Sequence, residues 1–254
     1  MRHGNQPGDS PQRRGAQIVA LAAAFAVPTL GTWAYFVLWI GTPVMTALYV
    51  ATKAFQVLFP AVWVWGVVRQ RRQRAAAHGV SIAHGLLFAL GVALLLGLAY
   101  VLLMRGQPFW MQIGQQIGTK LAGMGLTTPA RYWAFVLFLS LAHSLLEEYY
   151  WRWFVCGQLQ RLMAARAAAC LSSVGFTAYH VIVFHEYLHE LWWLTLLMAA
   201  GVAAGGYYWA RLLQRHASLL GPWASHLAVD LAVFGLGYLM IFGQQAAAAP
   251  PLSG

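Results

Sequence analysis

Acidic residues are scarce: the chain of 254 residues has six Asp and Glu against 16 Lys and Arg. All charged residues together make up 9% of it, and hydrophobic residues 60%. A soluble domain carries roughly a quarter charged residues, so that class is excluded. Long stretches hold no Asp, Glu, Lys or Arg at all: between Arg14 and Lys53, between Arg74 and Arg105, and between Arg166 and Glu186. Each can supply the run of about 20 apolar residues that a membrane helix needs. Cysteine is also scarce. Cys156 and Cys170 form no spacing pattern, which excludes a disulfide framework and leaves them as small apolar fillers. The N-terminal segment is expected to be a cytoplasmic tail leading into a first span, not a secretory signal peptide. The opening MRHGNQPGDSPQRRGAQIV is polar for too long, and the apolar run after it is too long.

What is present reads as about seven spans: 17–40, 44–68, 80–104, 131–155, 167–187, 191–210 and 222–242. Pro28 suggests a kink in the first, and Gly41-Thr42-Pro43 a turn after it. Residues 105–130 suit an interfacial helix or a re-entrant loop. The expected fold is therefore all-α, a polytopic integral membrane protein. It comprises an N-terminal tail (1–16), one helical membrane domain (17–242) and a low-complexity, disordered tail (243–254). The net charge of +10 would suggest nucleic acid only for a soluble chain. Here the arginines lie between apolar runs and act as topology signals. Arg2, Arg13, Arg14, Arg69, Arg71, Arg72, Arg74, Arg161, Arg166, Arg211 and Arg215 all fall on one side if the N-terminus is cytoplasmic. Arg105, Lys120 and Arg131 then fall outside. The lipid bilayer is the expected partner, and nucleic acid is not.

Five of the six acids lie in or beside the last four spans: Glu147, Glu148, Glu186, Glu190 and Asp230; Asp9 belongs to the tail. A charge at membrane depth costs at least ~2.5 kcal/mol on insertion scales and usually has a function. Glu148 and Arg152 are four apart, share a helix face and can pair. That pairing could be purely structural, a bridge that locks two helices. Glu147 lies a quarter-turn away, and its only candidate partner at helical spacing is His143. A carboxylate in so apolar a setting suits general acid–base work. Two more i, i+4 pairs follow: Phe176 with His180 in GFTAYH, and His226 with Asp230 in SHLAVD. One membrane histidine alone is more often a packing residue. Three polar sites on spans four, five and seven could instead surround one water. Glu147 and His180 would deprotonate it, and His226, held by Asp230, would donate to the oxyanion of an attacked carbonyl. That is peptide hydrolysis inside the membrane.

EEYYWR fits EExxxR, FTAYH fits FxxxH and HLAVD fits HxxxN/D, in that order on successive late spans. Over about 131–242 the chain thus resembles the CPBP (Abi) superfamily of type II CAAX prenyl endopeptidases and bacteriocin-processing enzymes. The resemblance implies a metal- and cofactor-independent intramembrane glutamic protease acting on a membrane-anchored protein or peptide. Glu147 would activate water with His180, Glu148 and Arg152 would support Glu147, and Phe176 would shape the pocket. His226 and Asp230 would take the oxyanion-stabilising positions. Some members carry Asn at the last position, a hydrogen-bond donor. Ionised Asp230 only accepts, so it either orients His226 or is protonated. Ala- and Arg-rich composition and small size suggest a bacterial inner membrane, where a sorting tail or peptide precursor is a better substrate than a prenylated protein.

Two other readings compete. HEYLH (185–189) fits HExxH, which would place His185 and His189 on zinc with Glu186 as base. It sits at a span end, and its nearest third ligand, Glu190, directly follows His189. A polar loop at the membrane rim is the plainer account. A non-catalytic scaffold or immunity protein of the same fold is the other. The order of spans also raises a mismatch. Glu147 is late in span four and His226 early in span seven, whereas His180 is late in span five. At ~1.5 Å per residue the offset reaches ~10 Å. Either the helices tilt or span five starts late, with 158–170 as an interfacial helix; the late start is the expectation.

Overall fold

The fold is described from a computed structural model covering residues 11–67, 77–188 and 190–243. Asp9, Arg2, Arg69, Arg71, Arg72, Arg74, His189 and the tail from 244 lie outside the described residues. Among the described residues there is no strand. The described residues form eight successive helices: α1 (Pro11–Leu38), α2 (Pro43–Val67), α3 (His78–Met104), α4 (Pro108–Gly123), α5 (129–159), α6 (Ala165–Leu188), α7 (Trp192–His216) and α8 (Leu220–Ile241). Four of them start on a proline, which needs no hydrogen-bonded N–H in the first turn and is preset in φ. Thr128 caps α5 by accepting from the Arg131 N–H at 3.3 Å. Gly41, in the expected turn between α1 and α2, takes φ of 75°, which a Cβ would oppose.

Among the described residues five helices are long and apolar enough to cross a membrane: α1, α2, α3, α6 and α8. α3 leaves Leu87, Leu94 and Leu95 about two-thirds exposed, at 66%, 65% and 66%, as suits a helix solvated by lipid. α5 falls short of that test and carries Arg131, Glu147, Glu148 and Arg152. Its segments run α (Pro129–Phe138), π (Leu139–His143), α (Ser144–Glu147), π (Glu148–Cys156) and α (Gly157–Leu159). Such π segments frequently accompany functional sites. Residues 108–123, expected as an interfacial helix or loop, are helical. The late start of span five is not found. α5 runs on to Leu159, and α6 begins at Ala165. ARAAAC is a strong helix former, so the chain re-enters a helix as soon as the turn at 160–164 is complete.

The helices divide into two units. In the first (Met1–Arg71, Tyr150–Glu186, Leu191–Tyr207), Tyr150 Oη donates to the Ala24 carbonyl at 2.9 Å and Gln17 Nε2 to the Gln158 carbonyl at 2.9 Å. Phe25 meets Trp151 edge-on at 5.7 Å between centroids. In the second (Arg72–Tyr149, Tyr187–Glu190, Tyr208–Gly254), α3 and α8 approach backbone to backbone. A Cβ on Gly85 would lie 2.5 Å from the Gly221 carbonyl oxygen. Buried Leu121, Tyr132 and Val136 form a core there with Leu231, Phe234 and Tyr238 of α8. Tyr132 Oη donates to the Phe234 carbonyl at 2.7 Å.

Candidate active site

In the second unit α5 and α8 bring four of the expected residues together. Glu147 closes the short α segment of α5, and Glu148 opens the π segment after it. Both carboxylates are buried, at 4% and 0% side-chain exposure. Glu147 lies between two imidazoles. His143 Nε2 is 3.0 Å from its Oε1, and His226 Nε2 is 3.7 Å from its Oε2. The first contact has hydrogen-bond length; the second is an ionic contact only.

His226 in turn faces three carboxylates. Its Nδ1 is 2.8 Å from Glu148 Oε1, and its Nε2 is 3.6 Å from Asp230 Oδ1. An ionised carboxylate can only accept, so Nδ1–H donates to Glu148 and the ring is held with Nε2 toward Glu147 and Asp230. Trp209 of α7 stacks on the imidazole, with centroids 4.1 Å apart and planes at 16°. Its Nε1–H donates to Ser225 Oγ at 3.0 Å. The ring is thereby fixed in rotation by Glu148 and in tilt by Trp209. The spacing argument missed Trp209 entirely, because its partners sit on another helix, and it gave His143 no role beyond proximity to Glu147.

In the first unit the structure groups Arg152, Phe176 and His180. The Arg152 guanidinium, buried at 1%, lies over the Phe176 ring at 4.0 Å from its centroid, a cation–π contact strengthened by desolvation. Gly206 leaves the room for it, since a Cβ there would be 3.2 Å from Arg152 Nη2 and 3.2 Å from Phe176 Cδ1. His180 Nδ1 is 2.8 Å from the Phe176 carbonyl. A carbonyl only accepts, so Nδ1 carries the proton and Nε2 of the neutral ring holds the lone pair. The ring packs against Phe176 and Tyr179, with centroids at 4.5 and 4.4 Å. One i, i+4 step thus fixes both the tautomer and the setting of His180.

The HEYLH residues stand apart from these groups in kind. His185 and Glu186 occupy the end of α6, and Glu190 follows it in a turn. Among the described residues no cluster of three or more His, Cys, Asp or Glu could hold a metal ion.

Apolar helices with buried carboxylates beside oriented imidazoles define an integral membrane protein. Residues 129–232 match the model of a family described as type II CAAX prenyl endopeptidase Rce1-like, so over this segment the chain is similar to that family, and the resemblance carried by the three motifs is borne out. The match runs from α5 into α8 and contains all three motifs. No curated protein and no solved structure matches the chain.

Proposed function

We propose that the chain is an intramembrane glutamic endopeptidase that cleaves a membrane-associated protein or peptide. The observation that carries this reading is Glu147: a buried carboxylate with an imidazole beside each of its oxygens. In the proposed reaction Glu147 takes a proton from water as the oxygen attacks the scissile carbonyl. The same proton then goes to the leaving amine as the C–N bond breaks. His226 as imidazolium donates from both nitrogens, Nδ1 to Glu148 and Nε2 toward the developing oxyanion. Asp230, 3.6 Å from that Nε2, orients and balances the cation instead of donating itself. Phe176 and Arg152 act as supports: Phe176 holds His180 by its backbone carbonyl, and Arg152 packs on the Phe176 ring.

The rest of the reading is topological. Residues 17–242 form one membrane domain of seven spans, with α5 and α7 crossing as well, the catalytic core at about 131–242, and the N-terminus cytoplasmic in a bacterial inner membrane. The substrate reacts near a C-terminal sorting tail or a leader.

The test compares the membrane proteome of cells carrying wild type or Glu147→Ala, with new protein termini read by mass spectrometry. Loss of a general base costs about 10²–10⁴-fold in rate, so wild type generates termini that the variant does not. Equal processing by both, with the variant inserted and folded, overturns the mechanism and favours a scaffold.

A further inference from the structure

Away from the candidate active site, two histidines meet across α3 and α7. His84 Nδ1 lies 3.3 Å from His216 Nε2, with ring centroids 5.3 Å apart and planes at 41°. His84 is exposed and His216 half-buried. Good hydrogen bonds from N–H donors span about 2.7–3.2 Å, so 3.3 Å is long for one. It is the right separation for two ligands of one ion: a tetrahedral zinc with Zn–N of about 2.0–2.1 Å holds its nitrogens about 3.3–3.4 Å apart.

The surroundings fix the pair. Tyr208 Oη donates to the His84 carbonyl at 2.8 Å, and its ring stacks on Phe88 at 4.0 Å between centroids. His78, at the start of α3, is occupied elsewhere, with Nδ1 2.8 Å from Ser218 Oγ. No third His, Cys, Asp or Glu among the described residues completes a set, so water must fill the remaining positions. We propose that His84 and His216 form a two-imidazole site for a divalent transition metal, zinc as reference, that clasps α3 to the C-terminal end of α7. The proposal is independent of peptidase activity and of HEYLH.

Metal competes with protons for imidazole, and Arg215 beside His216 adds positive charge, so the site is tested at pH 7.5. Zinc chloride is titrated calorimetrically into full-length protein purified without a histidine tag, as wild type, His84→Gln and His216→Gln. Wild type takes up one more zinc ion than either variant. Equal stoichiometry in all three overturns the site, whatever other histidines bind. Loss in one variant but not the other overturns the bridging geometry. Both substitutions lie at accessible side chains, and unchanged helical circular dichroism confirms that the variants fold.

Discussion

At the scale of single residues, spacing in the sequence finds side chains that share a helix face and misses those that meet across helices. The pairs His143 with Glu147 and Phe176 with His180 are four apart, and each makes a contact of hydrogen-bond length. In the second pair the partner is the Phe176 backbone carbonyl, which no side-chain pattern announces. Spacing gives no such signal for the bond of Glu148 to His226, which lies 78 positions away, nor for the packing of Arg152 on the Phe176 ring. Long-range pairing depends on how helices are laid side by side, and periodicity carries no record of it. Trp209 shows this most plainly and gives a prediction. Replacing it with Leu removes the ring that sets the tilt of His226 and leaves the Glu148 bond intact. Small misplacements of a reacting group cost up to ~10²-fold. On whichever substrate the terminus comparison identifies, Trp209→Leu should lower kcat about ten-fold with KM unchanged, and Trp209→Phe, which keeps a stacking ring, should lose less. A fall in binding with kcat preserved would show that Trp209 touches substrate instead.

At the scale of helices, the apolar runs located α2, α3, α5, α6 and α8 to within a few residues at each end, because lipid solvation demands long apolar stretches. The start of α1 was less legible. α1 begins at Pro11 and takes in Arg13 and Arg14, since charge is tolerated at a helix end where it reaches water. The π segments of α5 were invisible, as widening a turn needs no particular residue type. Small residues, by contrast, mark where helices touch. In α3, Gly85 faces the Gly221 carbonyl, whereas a Cβ on Gly91 would meet nothing within 4 Å. Gly85→Ala therefore forces α3 from α8 and should cost about 1–3 kcal/mol. Gly91→Ala should be neutral or stabilise by up to ~1 kcal/mol through helix propensity. Thermal unfolding of the two variants in detergent checks this, and equal midpoints would mean that α3 and α8 are not so closely packed.

At the scale of the whole molecule, the charges proposed for the chemistry also decide how many helices cross. By apolarity alone α5 and α7 do not qualify, and five spans remain. An unpartnered charge at mid-membrane costs about 2.5–3.5 kcal/mol on insertion scales. Partnering reduces that cost, and the acids of α5 are partnered: Glu147 contacts His143, and Glu148 contacts His226. A count of apolar residues cannot register this, so α5 can cross although its composition argues otherwise. The two counts place the turn at 160–164 on opposite sides. With seven spans and a cytoplasmic N-terminus, Arg161 and Arg166 are cytoplasmic, with the other arginines that follow even-numbered spans. With five, α5 stays outside and both arginines join it, against the positive-inside bias. Arg161→Cys decides between them once the two native cysteines, buried Cys156 and exposed Cys170, are replaced by Ala. In intact cells the new thiol should resist a membrane-impermeant maleimide and react only after the membrane is opened. Labelling of intact cells would leave α5 uncrossed and its carboxylates outside the bilayer, and the intramembrane mechanism would fall with it.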